Sequence, residues 1–242
     1  MECENRKILV KLESTFDRLE ESAWNIRLME YGYHEADRFR WALNSFLRCI
    51  KEVIQMATME MQHAPELNSW LKQQKEELHK DELVGYLFKQ RDLIVHRSML
   101  KPASEGMVGL TKGRGLKLGI GMPIDPLEDS EQAILRYIDH AAREEDFLGI
   151  LYTEDGYGEY TCVERSWRME PFPEKELTEL AAEAWDKVAN LVHSLASRLG
   201  AKVSDLKFEL SNANSVRIRV FEPDFIKENL EAAKEFHAKN TT

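Results

Sequence analysis

Arg91, Asp92 and His96, in the stretch RDLIVHR, have residue types and spacing suited to chemistry on a phosphodiester. On a helix, Asp92 and His96 stand four apart and share a face, so the carboxylate can hold one imidazole nitrogen and raise the ring's pKa. A histidine near neutrality serves as general acid or base at cellular pH. Arg91 lies about 100° round the same helix, but its long side chain ends in a fixed fork of donors that suits phosphate. A proton-transfer group and a cation for charge developing on phosphorus are the parts that metal-independent RNA cleavage requires. The same residues also admit a structural reading. Arg91 would then pair with Asp92, and His96 and Arg97 would answer the dipole at a helix C-terminus.

The stretch resembles the R-x(4–6)-H signature of the HEPN superfamily, all-helical domains associated with nucleotides and RNA. Arg91 supplies the arginine, Asp92 the polar residue that often follows it, and His96 the histidine after four intervening residues. Arg27 and His34 also fit the spacing, but they cross the break at Tyr31-Gly32-Tyr33 and lack the polar neighbour. The resemblance covers about Tyr33 to Met99 plus a late helix. It implies an endoribonuclease, a toxin or defence component, in which the ribose 2′-hydroxyl attacks the adjacent phosphodiester without a cofactor or metal. Arg91 would stabilise the phosphate, His96 would act as acid or base, and Asp92 would orient it. Because the family's catalytic sites are commonly assembled from two protomers, it also implies a homodimer. Some relatives are encoded beside a nucleotidyltransferase-type antitoxin, which makes such a protein an implied partner. Other helical domains of this type bind without cutting, so the alternative is a non-catalytic dimeric scaffold or a nucleotide- or RNA-sensing module.

Charge frames what RNA binding would look like. A net charge of -10 argues against a surface that grips nucleic acid everywhere. Between Arg97 and Lys117, however, Arg97, Lys101, Lys112, Arg114 and Lys117 face a single acid, Glu105. These five are candidates to track an RNA backbone. A lysine-rich solvated loop is the competing reading.

Other chemistries lack their patterns. Cys3, Cys49 and Cys162 are odd in number, far apart and without C-x-x-C pairing, so neither a disulfide framework nor a zinc knuckle is indicated. The glycines of GMVGLTKG and GRGLKLGIG have neither P-loop nor dinucleotide-site spacing, and G-x-S-x-G is missing. His63, His79, His140, His193 and His237 are isolated in sequence, and a structural role is expected of each. No apolar run approaches the ~20 residues of a membrane span. The charged amino terminus, MECENRKILVKLES, does not read as a secretory signal, so the expected location is cytoplasmic.

The elements that must position these residues are mainly helical, in an α+β chain. Apolar residues at helical spacing predict a helix over about Glu4 to Met29, a second from Phe39 to Met61, and a third restarted by Pro65. Asp81 is expected to cap the segment that carries the motif. The glycine-punctuated pieces after Leu100 predict a hairpin with Lys112 to Arg114 near its tip, and Asp129-Ser130 a capped helix. FLGILYT with EYTCVERSW, and KFEL with VRIRVF, predict two more hairpins. Pro173 is expected to open a long helix ended by Gly200, and a last helix spans about Phe225 to Phe236. The expected architecture is one HEPN-like helical bundle over residues 1–242. A strand-containing insertion would occupy 101–172, and a hairpin-plus-helix extension 201–242.

Overall fold

A computed structural model describes residues 2–96, 100, 102–113, 115–144, 149–154, 158–204 and 206–240, with the backbone alone at 2–4, 95 and 96. They are mainly helical, with one small antiparallel sheet, as the coarse sequence reading predicts. Their contacts group them into two compact units. The first takes Met1–Glu30, Arg40–Leu100 and Leu177–Leu210, the second Tyr31–Phe39, Lys101–Glu176 and Ser211–Thr242.

The first unit is helical. Helix α1 (Glu2–Leu9) passes through a 3-10 turn (Val10–Leu12) into α2 (Glu13–Tyr31), so the single predicted helix is interrupted. The new N-terminus so formed needs acceptors for its amide hydrogens, and Glu60 supplies them from the end of α3 (Ala36–Glu60). Its carboxylate accepts from the amides of Ser14 (2.8 Å) and Thr15 (3.3 Å) and from the Thr15 hydroxyl. Helix α4 (Pro65–Lys80) starts at Pro65, whose missing amide hydrogen costs nothing there. Asp81 caps α5 (Glu82–His96) by accepting from the amides of Leu83 and Val84. Lys187 of α7 (Leu177–Arg198) then donates to both oxygens of Asp81, tying the two helices.

The long helix α7 starts four residues after Pro173. Gly200, at φ +90°, ends it in the left-handed conformation that a side chain disfavours, and the amide of Ala201 reaches back to the Ala196 carbonyl. Leu12, Ala57, Met61, Leu71, Leu191 and Leu195 form an apolar core at one end of this unit. Removing each of the leucine and methionine side chains from water contributes roughly 1.5–3 kcal/mol before the entropy of ordering it is counted.

The second unit is built on a four-stranded antiparallel sheet in the order β2-β1-β3-β4. Strands β1 (Ala103–Lys112) and β2 (Gly115–Pro123) form the predicted hairpin, with Val108 opposite Ile120. Helix α6 (Ser130–Arg143) begins in a capping box between Asp129 and Gln132. With α9 (Pro223–Asn240), it shares an apolar core with Val108, Leu110 and Val163 of the sheet.

Among the described residues, which leave out 147, 148 and 155–157, the other two predicted hairpins do not form. Residues 149–153 make no strand. The Thr161 hydroxyl meets them instead, accepting from the Tyr152 amide (2.9 Å) and donating to the Ile150 carbonyl (3.0 Å). Strand β3 (Glu159–Arg168) has both edges taken, by β1 and by β4 (Ile218–Val220). Nor is KFEL a strand. Phe208 packs edge-on against Trp185 beneath the Arg27 guanidinium, and its amide donates to Asp186. A short helix, α8 (Ala213–Arg217), precedes β4.

Arg165 of β3 is fully buried in this unit. Its guanidinium lies 3.8 Å over the Trp167 ring, which stacks on Phe39 at 4.4 Å. It donates to the Ser104 hydroxyl and to the carbonyls of Glu128 and Asp125, holding the loop before α6. Glu176, also buried, accepts from the Tyr33 hydroxyl (2.7 Å) and the Trp167 amide (3.1 Å).

Candidate functional site

Helix α5 carries Arg91 and Asp92 in its last turns and ends at His96. Asp92 is half exposed, and both its oxygens accept from Lys51 Nζ on α3, at 2.6 and 2.7 Å. Arg91 Nη1 lies 3.2 Å from Asp92 Oδ1. The Lys51 hydrogen bond holds the Asp92 carboxyl below its ordinary range, opposed by burial and helped to a lesser degree by Arg91. Both described partners of this carboxylate are thus cations. The His96 side chain, which the sequence reading places against Asp92, lies outside the described residues, as do Arg97, Lys101 and Arg114.

The Arg91 side chain is 23% exposed, and its Nε is buried with no hydrogen-bond acceptor among the described residues. Two cations therefore stand around one carboxylate. Phe88, one turn earlier on α5, is buried. Lys51 Nζ sits 5.9 Å from its ring centre, and the His79 ring of α4 packs edge-on against it at 5.2 Å. Burial, then the charges of Lys75 and Lys51, depresses the His79 pKa, with Asp92 pulling the other way. His79 is accordingly a neutral imidazole at neutral pH.

Gly85 permits this packing. A Cβ there would lie 2.4 Å from the His79 carbonyl oxygen, so only glycine lets the start of α5 pass so close to the end of α4.

Lys51 and His79 are the residues of this neighbourhood that sequence reasoning missed. Each is isolated in sequence and arrives from a different helix. The one available signal was that Lys51 sits beside the broad apolar face of α3, where its neighbours must pack against another helix.

The basic hairpin is a separate feature. Lys112 and Lys117 belong to the second unit and share one carboxylate, that of Glu159 on β3, with Lys112 at 3.7 Å. The Lys117 hydrogen bond is the main cause that holds the Glu159 carboxyl below its usual range. Among the described residues, no group of three His, Cys, Asp or Glu side chains is placed to hold a metal ion. Nor is any described helix long and apolar enough to cross a membrane.

Compared with known proteins, the chain matches no family model, and neither the curated proteins nor the solved structures contain a significant match to it.

Proposed function

We propose that the end of α5 is a phosphodiester site and that the protein is a metal-independent endoribonuclease of the HEPN type, a toxin or defence component acting as a homodimer. The observation that carries this reading is the pairing of Arg91 and Lys51 around the single carboxylate of Asp92, one turn before His96. Two cations with one counter-charge leave a net positive point on an acidic protein, and the Arg91 side chain is 23% exposed. In the reaction, the 2′-hydroxyl loses its proton to a base and attacks phosphorus. The bond to O5′ breaks and that oxygen gains a proton, with His96 serving one of the two transfers. The cation stabilises the charge that builds on the phosphoryl oxygens.

Lys112 and Lys117 remain candidates for the RNA backbone, with Arg97, Lys101 and Arg114. A nucleotidyltransferase-type antitoxin is the proposed regulator. Incubating labelled RNA in EDTA with the wild type, Arg91→Ala and His96→Ala tests the reading. Cleavage by the wild type and its loss in both folded variants is the expected result. Equal cleavage by all three overturns it.

A second reading rests on the Lys51–Asp92 bond itself, because a two-oxygen tie between α3 and α5 is what a structural motif would also build. The protein would then be a non-catalytic dimeric scaffold or an RNA- or nucleotide-sensing module. RNA binding without cleavage would favour it.

A further inference from the structure

The second unit contains a cleft of about 450 Å³, within the ~300–1,000 Å³ of small-molecule sites. Its floor is the sheet. Register sets Glu105 of β1 opposite Ser166 of β3, and Met107 opposite both Glu164 of β3 and Gly121 of β2. Period-two alternation therefore sends all five residues to one face. Pro123 lines the cleft, and Arg217, the last residue of α8, brings a guanidinium to it.

Arg217 is held in place by the protein itself. Its Nη2 donates to the Ser166 hydroxyl (2.9 Å) and pairs with Glu164 Oε1 (3.0 Å), and Nε lies 3.6 Å from Glu176. Both short contacts fall on Nη2, Nε is buried without a hydrogen-bond acceptor among the described residues, and no described residue engages Nη1. Glu105 is exposed, and its carboxylate has no partner among the described residues. At Gly121, an added Cβ would meet nothing within 4 Å, so this part of the cleft is open space.

The cleft therefore presents both signs of charge beside an apolar wall. A simple anion would meet Glu105 and Glu164 at a cost in repulsion, and a simple amine would forgo the Arg217 guanidinium at a cost in contacts. A small molecule carrying both charges close together meets neither cost. We propose that this cleft binds a free α-amino acid. Its carboxylate lies on Arg217, its ammonium against Glu105 and Glu164, and its side chain along Met107 and Pro123 over Gly121. The site stands independently of the ribonuclease reading.

The test is calorimetric titration of the full chain with each of the common amino acids, with acetate and propylamine as singly charged probes. Glu105→Gln and Gly121→Val are the informative variants. The first removes a charge that has no partner, and the second fills open space with a residue that suits a strand. Both should melt near the wild-type temperature. Saturable binding of at least one amino acid is expected, weakened about tenfold or more in both variants, with neither singly charged probe binding comparably. Absence of binding by every amino acid overturns the proposal. So does comparable binding of acetate or propylamine, or unchanged affinity in both variants.

Discussion

Lys51 of α3 donates to both carboxylate oxygens of Asp92 on α5, at 2.6 and 2.7 Å. The Asp92 side chain is 49% exposed, so the pair is screened by water and should contribute no more than about 1 kcal/mol. A double-mutant cycle with Lys51→Met and Asp92→Asn, read by urea unfolding, should give a coupling in that range. Because the folded state holds the carboxyl below its ordinary pKa, the coupling is present above the unfolded value and is lost as pH falls through the folded one. A coupling well above ~1 kcal/mol would make the pair chiefly a structural tie.

His34 gives the second unit an acid-sensitive point. Its Nδ1 lies 2.9 Å from the Ser130 hydroxyl. Burial, then the charges of Arg219 and Arg165, depresses the pKa to about 3. An unfolded histidine titrates near ~6.5. Between these values the unfolded chain binds the proton and the folded one does not, so this contribution is complete above ~6.5 and falls as pH drops towards 3. Urea unfolding across this window should show stability falling with acidification. His34→Gln, which keeps a neutral partner for Ser130, should flatten that slope. An unchanged slope would contradict the assignment.

Arg165 should be among the most costly residues to remove. Burial lowers its pKa to about 10, opposed by Asp129 and other nearby groups, so it remains charged at neutral pH. Arg165→Met keeps much of the volume over Trp167 but strands the Asp125 and Glu128 carbonyls and the Ser104 hydroxyl. A loss of about 3 kcal/mol or more is expected from chemical denaturation. A loss under ~1 kcal/mol would show that the loop before α6 stands without it.

The two described cysteine thiols should be unreactive in the native state. Burial pushes Cys49 up to about 11 and Cys162 up to about 12, so little thiolate exists at neutral pH. Alkylation followed by peptide mapping should leave both unmodified in buffer and label both in denaturant. Rapid native labelling of either would contradict its burial.

The helical elements were legible in the sequence wherever a start signal was local. Pro65, Asp81 and Asp129 each mark an N-terminus by chemistry within three residues, and all three helices begin there. Gly200 marked the end of α7 in the same way. Two hairpins were misread because alternation shows a capacity to pair and does not name the partner. β3 pairs with β1 and β4, the Thr161 hydroxyl takes the bonds offered by residues 150–152, and Phe208 is drawn off by Trp185. The candidate site was half legible. Adjacency on one helix gives Arg91 and Asp92, whereas Lys51 reaches Asp92 only through the packing of α3, and His79 reaches the neighbouring Phe88 only through that of α4.

The most direct test of the ribonuclease reading is the chemistry of the RNA ends. In EDTA, purified wild-type protein should yield fragments with 2′,3′-cyclic phosphate and 5′-hydroxyl termini, and folded Arg91→Ala should yield none. RNA left intact by the wild type, or the same termini produced at the same rate by Arg91→Ala, would contradict it.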